Sequence, residues 1–315
     1  MNTNSPLAQV YRLFSSALAA LLLTLSANLF AKPSPSDNSN IANNQEKLEV
    51  VSDGTGNDCL SDDCIESHRW HLGLALGVGH RTNPLVSARN VPLYVIPSIA
   101  YYGERFYFDN GDLGYTLQDN DRFAVNFTTF YNNDRGFFSR SDPSNIFAVS
   151  ADSTFATNRD LSPVPEIEYE SRRLSIFAGA EALWFSDYGT FSFTAGHDLL
   201  AIHHGSEVRA QWSRAWQYGN WSANLAAGFV WKSAEVISYY YGLRASEAMH
   251  FDNSNFNAKS GTNKNVRLSL SYRINQHWRL LAIGGYSDLA NEIVASPIVI
   301  ENHSKTVFVG GAYQF

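Results

Sequence analysis

The sequence predicts an all-β fold: a transmembrane, antiparallel up-and-down β-barrel of about 12 strands (alternative 10) behind a disordered N-terminal tail. Three observations predict it. Strand-length segments with one broad apolar, aromatic face recur from residue 67 to residue 315. The connections between them sort into a long set and a short set. The final segment carries Tyr313 and Phe315 on its apolar face. Side chains alternate across a strand, so these faces are read by period two. A membrane barrel turns one face to lipid and the other to a polar lumen, with long external loops and tight periplasmic turns. A soluble barrel would invert the pattern.

Composition agrees. Of 315 residues, 14% are aromatic and 17% charged, which is rich in rings and poor in charge for a soluble chain. Mean hydropathy is nevertheless −0.22. Beyond the N-terminus no run approaches the roughly 20 apolar residues of a membrane helix.

Residues 1–31 read as a secretory signal. Arg12 is their single charge, Leu13 to Leu25 form an apolar core, and small residues lead to cleavage between Ala31 and Lys32. Residues 32–66 change in kind: rich in Asn, Ser and Asp, they hold two lysines against eight acids. That composition predicts a disordered, acidic periplasmic tail and leaves the body close to neutral. Without a basic stripe, nucleic acid is not an expected partner. Cys59 and Cys64 lie in this tail and could close a local disulfide in the oxidising periplasm. Two cysteines fall short of the four ligands of a structural zinc site.

The barrel begins with 69–80, where Trp70, Leu72, Leu74, Leu76 and Val78 oppose His71, Gly73, Ala75, Gly77 and Gly79. The glycines have period two and lack the following helix and Lys of a phosphate loop, so they belong to a lumen face. Residues 105–109 and 112–118 form a short hairpin at Asn110-Gly111, a strong turn signal. They are the weak pair on which the count of twelve or ten depends. Segments 122–131, 172–184, 189–199, 207–218, 221–231, 266–274 and 277–289 repeat the alternation. In 266–274, Arg267 and Arg273 fall on the lumen face, which would favour anions in an open pore. Residues 81–91, 132–171, 200–206, 232–264 and 290–304 form the long set, with 110–111 as its short member. In 232–264, Tyr239, Tyr240 and Tyr241 are candidates for an interfacial girdle or a partner patch. The apolar run Ser296 to Ile300 is expected to fold inward over the mouth. The last strand, 305–315, places Val307, Val309, Gly311, Tyr313 and Phe315 on one face as a C-terminal assembly signal, which would engage the barrel assembly machinery.

Residues 92 to 315 resemble a known family. The stretches are Pro92 to Pro97 with Ile99 to Gly103, Arg105 to Phe108 with Gly111 to Gly114, and Trp231-Lys-Ser with Tyr239 to Gly242 and Glu247-Ala248. They continue with Tyr272-Arg273, Trp278 to Leu280, Leu289 to Ile293, Ser296 to Val299 and Gly311 to Phe315. In that order they are similar to the MipA/OmpV outer-membrane proteins. The resemblance implies a barrel in the outer membrane of a Gram-negative bacterium, in contact with lipid and lipopolysaccharide. It also implies a scaffold role between a murein hydrolase (a lytic transglycosylase) and a murein synthase.

No catalytic motif stands out. His197-Asp198 and His203-His204 cluster near an external loop and read as solvated loop residues, without the fixed spacing of a metal site. No Gly-x-Ser-x-Gly elbow is present. The expected protein is therefore a non-enzymatic barrel without metal or cofactor, acting as a scaffold or as a small pore or surface binder.

Overall fold

The computed structural model describes residues 67–138, 167, 169–251 and 255–315. The signal, the acidic tail, Cys59, Cys64 and the Ala31–Lys32 junction lie outside the described residues. Among the described residues there are twelve strands: β1 (Trp70–Arg81), β2 (Val91–Tyr102), β3 (Phe106–Asp109), β4 (Asp112–Asp119), β5 (Phe123–Tyr131) and β6 (Ile176–Ser186). They continue as β7 (Gly189–Asp198), β8 (Ser206–Tyr218), β9 (Trp221–Lys232), β10 (Gly261–Arg273), β11 (Trp278–Asp288) and β12 (His303–Gln314). Each pairs antiparallel with its neighbours, and β12 closes on β1 to complete the barrel. The weak pair is part of the wall, so the count is twelve and not ten. Its turn has positive φ at both Asn110 (49°) and Gly111 (102°), as a two-residue hairpin loop requires.

The loop sorting holds. At one end lie 82–90, 132–175, 199–205, 233–260 and 289–302, with the two-residue hairpin turn 110–111; at the other lie only 103–105, 120–122, 187–188, 219–220 and 274–277. The long-loop end is the outer one. Outward side chains form the apolar belt: Leu76, Val78, Phe127, Phe193, Phe229, Val266 and Val309 are all exposed. Aromatic rings cluster at the short-turn rim, among them Trp184 stacked on Phe191 at 5.1 Å and Trp221 against Tyr272 at 4.9 Å. The terminal rings join them: Tyr313 meets Trp278 at 5.1 Å and Phe315 at 4.9 Å. Val307, Val309, Gly311 and Tyr313 share the outward face of β12, with Gly311 paired to Leu76 and Leu280. Changing Tyr313 and Phe315 to Ser is expected to cut the heat-modifiable barrel in outer membranes several-fold, as read on unboiled gels.

The β1–β12 seam is built for close approach. A Cβ on Gly77 would lie 2.2 Å from the Val309 carbonyl oxygen and 2.7 Å from Phe308 Cζ. Phe308 points into the lumen, fully buried over Gly77 and Gly310. With Leu93, Ile96 and Ile283 it fills one arc of the lumen with apolar side chains. Alternation predicted a small or polar lumen face there, so this filling was not foreseen. A β-bulge between Leu76 and Gly79 shifts the β1–β2 register and turns both Leu93 and Ile96 inward.

Candidate functional site

Two features share the barrel interior: a closed outer mouth and a luminal cavity beneath it. The closure is made by the long loops. Residues 232–264 were expected as loop, but Ala234–Tyr241 forms a helix. Its Val236, Ile237, Tyr240 and Tyr241 fall on one face by helical spacing, and Glu235 sits favourably in the first turn. That face is fully buried against Phe130, Phe177, Ile293 and Ile298. Each such side chain contributes about 1.5–3 kcal/mol through burial. The Ser296–Val299 part of the run folds inward as expected, and Ser296 Oγ donates to the Tyr241 carbonyl at 2.6 Å.

Tyr240 and Tyr241 thus form neither a lipid girdle nor an exposed patch. Their helix turns them into the apolar loop core, with only Tyr239 half-buried. Tyr239 still binds: its hydroxyl accepts the Arg173 N–H at 2.9 Å.

Charged groups sink into this core in pairs. Arg172 was expected on a strand, but β6 begins at Ile176. Its guanidinium makes a bidentate bridge to Glu247, Nη1 to Oε1 at 2.8 Å and Nη2 to Oε2 at 2.9 Å, both side chains wholly buried. It also donates to the carbonyls of Glu170, Tyr240 and Gly242 and covers the Phe138 ring at 4.6 Å. Arg172 therefore ties loop 132–175 to the C-terminal end of the helix, where a cation is favoured. Deeper in, Lys232 bonds Asp134, whose carboxylate also accepts from the Tyr241 hydroxyl at 3.0 Å and Asn132 Nδ2 at 3.3 Å.

Burial pushes the Asp134 carboxyl up, but Lys232 and these hydrogen bonds outweigh it and hold its pKa below the usual range. Glu247 behaves alike: burial opposes, and the Arg172 and Arg244 hydrogen bonds win, so its pKa is lowered. His203 was expected in solvent. It is buried among Phe177, Tyr239 and Tyr240, and its Nδ1 accepts the Gly205 N–H at 2.9 Å. Burial lowers its pKa against the pull of Asp198. Asp198 itself accepts the His203 and His204 backbone N–H groups at 2.7 and 3.1 Å, which fixes the turn. His197 bonds Ser206 Oγ at 2.9 Å and stands apart from His203 in role.

Acid should open this closure. A carboxyl with a depressed folded pKa stabilises above its unfolded pKa, and that contribution is lost as pH falls through the folded value. A histidine with a lowered pKa begins to destabilise as pH falls below about 6.5. All three groups act in one direction. Near-UV circular dichroism from the buried tyrosines should fade from about pH 6.5 downward while the far-UV β signal persists. An unchanged near-UV band at pH 3 would refute this.

The cavity beneath measures about 800 Å³. Among its lining charges, Lys232 is tied to Asp134, and Arg209 to Glu207 at 2.8 Å. Arg209 also lies over the Phe130 ring at 4.1 Å. Asp109 and Asp112 face each other across the β3–β4 hairpin and line the same space. Arg267 lines it from β10, as expected, between the small partners Ala226 and Gly285. Arg273 lies on the same face of β10, opposite Arg279.

The acidic arc and the buried pairs escaped sequence reasoning because alternation assigns a face and not a partner.

The family model described as MltA-interacting protein MipA matches residues 72–315. The MltA-interacting protein of Escherichia coli is 24% identical over 248 residues, covering 78% of this chain and 90% of its own. The outer membrane protein YiaT of the same organism is 24% identical over 244 residues, covering 78% of this chain and 91% of its own. Among solved structures, an outer membrane channel of Pseudomonas putida F1 is similar with 10% identity and a TM-score of 0.35, over 80% of this chain and 97% of that one. The closed twelve-strand wall, the sorted loops and the match over the whole barrel agree: the chain is an outer-membrane barrel and belongs to the MltA-interacting protein (MipA/OmpV) family.

Proposed function

We propose that this chain is a non-enzymatic outer-membrane scaffold that holds murein-remodelling enzymes at the periplasmic face. The observation that carries the reading is the sealed outer mouth, where Ile237, Tyr240, Tyr241, Ile293 and Ile298 are fully buried. A barrel closed on that side offers its periplasmic end for contact. There Tyr188 and Tyr218 are 75% and 87% exposed at turn tips. Rings of this kind supply rigid contact area. The E. coli relative is named MltA-interacting protein, and the family resemblance implies a lytic transglycosylase and a murein synthase as the partners. The acidic stretch 32–66, which lies outside the described residues, would supply a second contact through its charge.

Capture of both enzymes from detergent-solubilised outer membranes tests this. Tyr188→Ser with Tyr218→Ser, or deletion of 32–66, should lower capture at least ten-fold while the barrel stays heat-modifiable. Undiminished capture by both variants would overturn the scaffold reading. A second reading, a small pore, is favoured by the 800 Å³ cavity. The anion preference expected from Arg267 and Arg273 is offset by Asp109 and Asp112 across the lumen.

A further inference from the structure

Arg214 carries an unpaired charge on the lipid face of the barrel. Gln211 and Ser213 line the lumen, so Trp212, Arg214 and Trp216 point outward by alternation. Arg214 pairs with Leu225, and the outward residues nearest it on β7, β8 and β9 are Phe191, Trp212, Trp216, Ala223 and Leu225, none of them charged. The adjoining turns, 187–188 and 219–220, add one acid, Asp187. Among the described residues neither the Arg214 guanidinium nor the Asp187 carboxylate makes a hydrogen bond or an ion pair. The guanidinium has one close partner, the Trp216 ring, 5.7 Å from its centroid.

The wall is stepped at this point. β7 and β8 pair as far as Thr190–Ser213, and β8 then runs on to Tyr218 beside β9. Turn 187–188 therefore ends at the level of Arg214. A Cβ on Gly189 would lie 3.3 Å from Arg214 Cβ, and Trp212 Nε1 donates to the Tyr188 carbonyl at 3.0 Å. The β8–β9 hairpin projects further, with Trp216, Tyr218 and Trp221 on its outward face. Arg214 thus occupies the corner of a step, among the rings that mark the headgroup level of the periplasmic leaflet.

A cation on the lipid face is costly within the hydrocarbon and tolerated at its edge, where an anion meets it. The anion at that edge is the phosphate diester of a phospholipid. Arginine suits it, because its planar fork gives parallel N–H donors to two phosphate oxygens. The Trp216 ring steadies the guanidinium by a cation–π contact. An acidic group of a protein partner would approach from below, at the turn tips. Arg214 points sideways, on the face it shares with Ala210 and Phe193, and that face meets lipid.

We propose that Arg214 holds the phosphate of one periplasmic-leaflet phospholipid, in the step between turn 187–188 and the β8–β9 hairpin. This seat is separate from enzyme capture at the turn tips and stands or falls without it.

Native mass spectrometry of the intact refolded barrel tests it. The barrel is released from detergent micelles that hold phosphatidylglycerol, diacylglycerol with the same chains, or inorganic phosphate without lipid. One phosphatidylglycerol is expected to stay bound, at least ten-fold more often than diacylglycerol, and inorganic phosphate is expected to leave no adduct. Arg214→Gln should lower the one-lipid population at least five-fold, and Arg214→Lys should lower it less. Lys305→Gln, on the outward face at the other end of the barrel, should leave it unchanged. The comparison of phosphatidylglycerol with diacylglycerol uses the unaltered protein, so it does not depend on how the variants fold. Equal retention of diacylglycerol, no retained lipid, a phosphate adduct as abundant as the lipid's, or undiminished retention by Arg214→Gln would each overturn the proposal.

Discussion

Arg172→Ala is expected to release the outer mouth, at a cost of about 3–5 kcal/mol to the loop core. The cost follows from what remains. Glu247 would stay buried, with only the Arg244 and Glu170 backbone N–H groups, each at 2.9 Å, to hold its charge. The Tyr240 and Gly242 carbonyls would lose their donor, and the loop ends would separate. Arg172→Lys should fail almost as badly, because an ammonium cannot serve two carboxylate oxygens and three carbonyls in one plane. Arg172→Met with Glu247→Leu should cost less than Arg172→Ala alone, since no unpaired charge is left behind. The readout is the near-UV tyrosine signal together with protease cleavage in 233–260. An unchanged cleavage rate in Arg172→Ala would contradict the role given to this pair.

Gly77→Val is expected to stop barrel closure. The new side chain would begin 2.2 Å from the Val309 carbonyl oxygen, which belongs to backbone in the closing seam and cannot swing aside. It would also strike Phe308, which the glycine bed of Gly77 and Gly310 accommodates. Seam ladders from Gly73–Gln314 to Arg81–Thr306 would then be lost or slip in register. Heat-modifiable protein should fall by at least ten-fold. Gly284→Ala is the control, because a Cβ there meets nothing within 4 Å. Normal assembly of Gly77→Val would show that the seam tolerates what its geometry forbids.

These two positions also mark what the sequence made legible. Gly77 was readable as a lumen-facing residue because period two is a local property, and so were the outward belt, the Asn110-Gly111 turn and the inward Arg267. Loop lengths were readable because they need only the strand ends. Arg172 was not readable. Its segment alternates well enough to pass for the start of a strand, and only Glu247, 75 residues away, draws it into the loop core. Tyr240 and Tyr241 misled for a similar reason: aromatics beside a strand end suit a membrane girdle, but helical spacing with Val236 and Ile237 points them inward. Phe308 lay on the face assigned to small residues, and its place became intelligible only with Gly77 and Gly310 beneath it.

A packed loop core held by buried ion pairs shuts the outer mouth. Single-channel recording in planar bilayers tests it most directly. The unaltered barrel is expected to give no stable conductance steps, and Arg172→Ala is expected to give them. Steady steps from the unaltered protein, equal in size to those of Arg172→Ala, would contradict it.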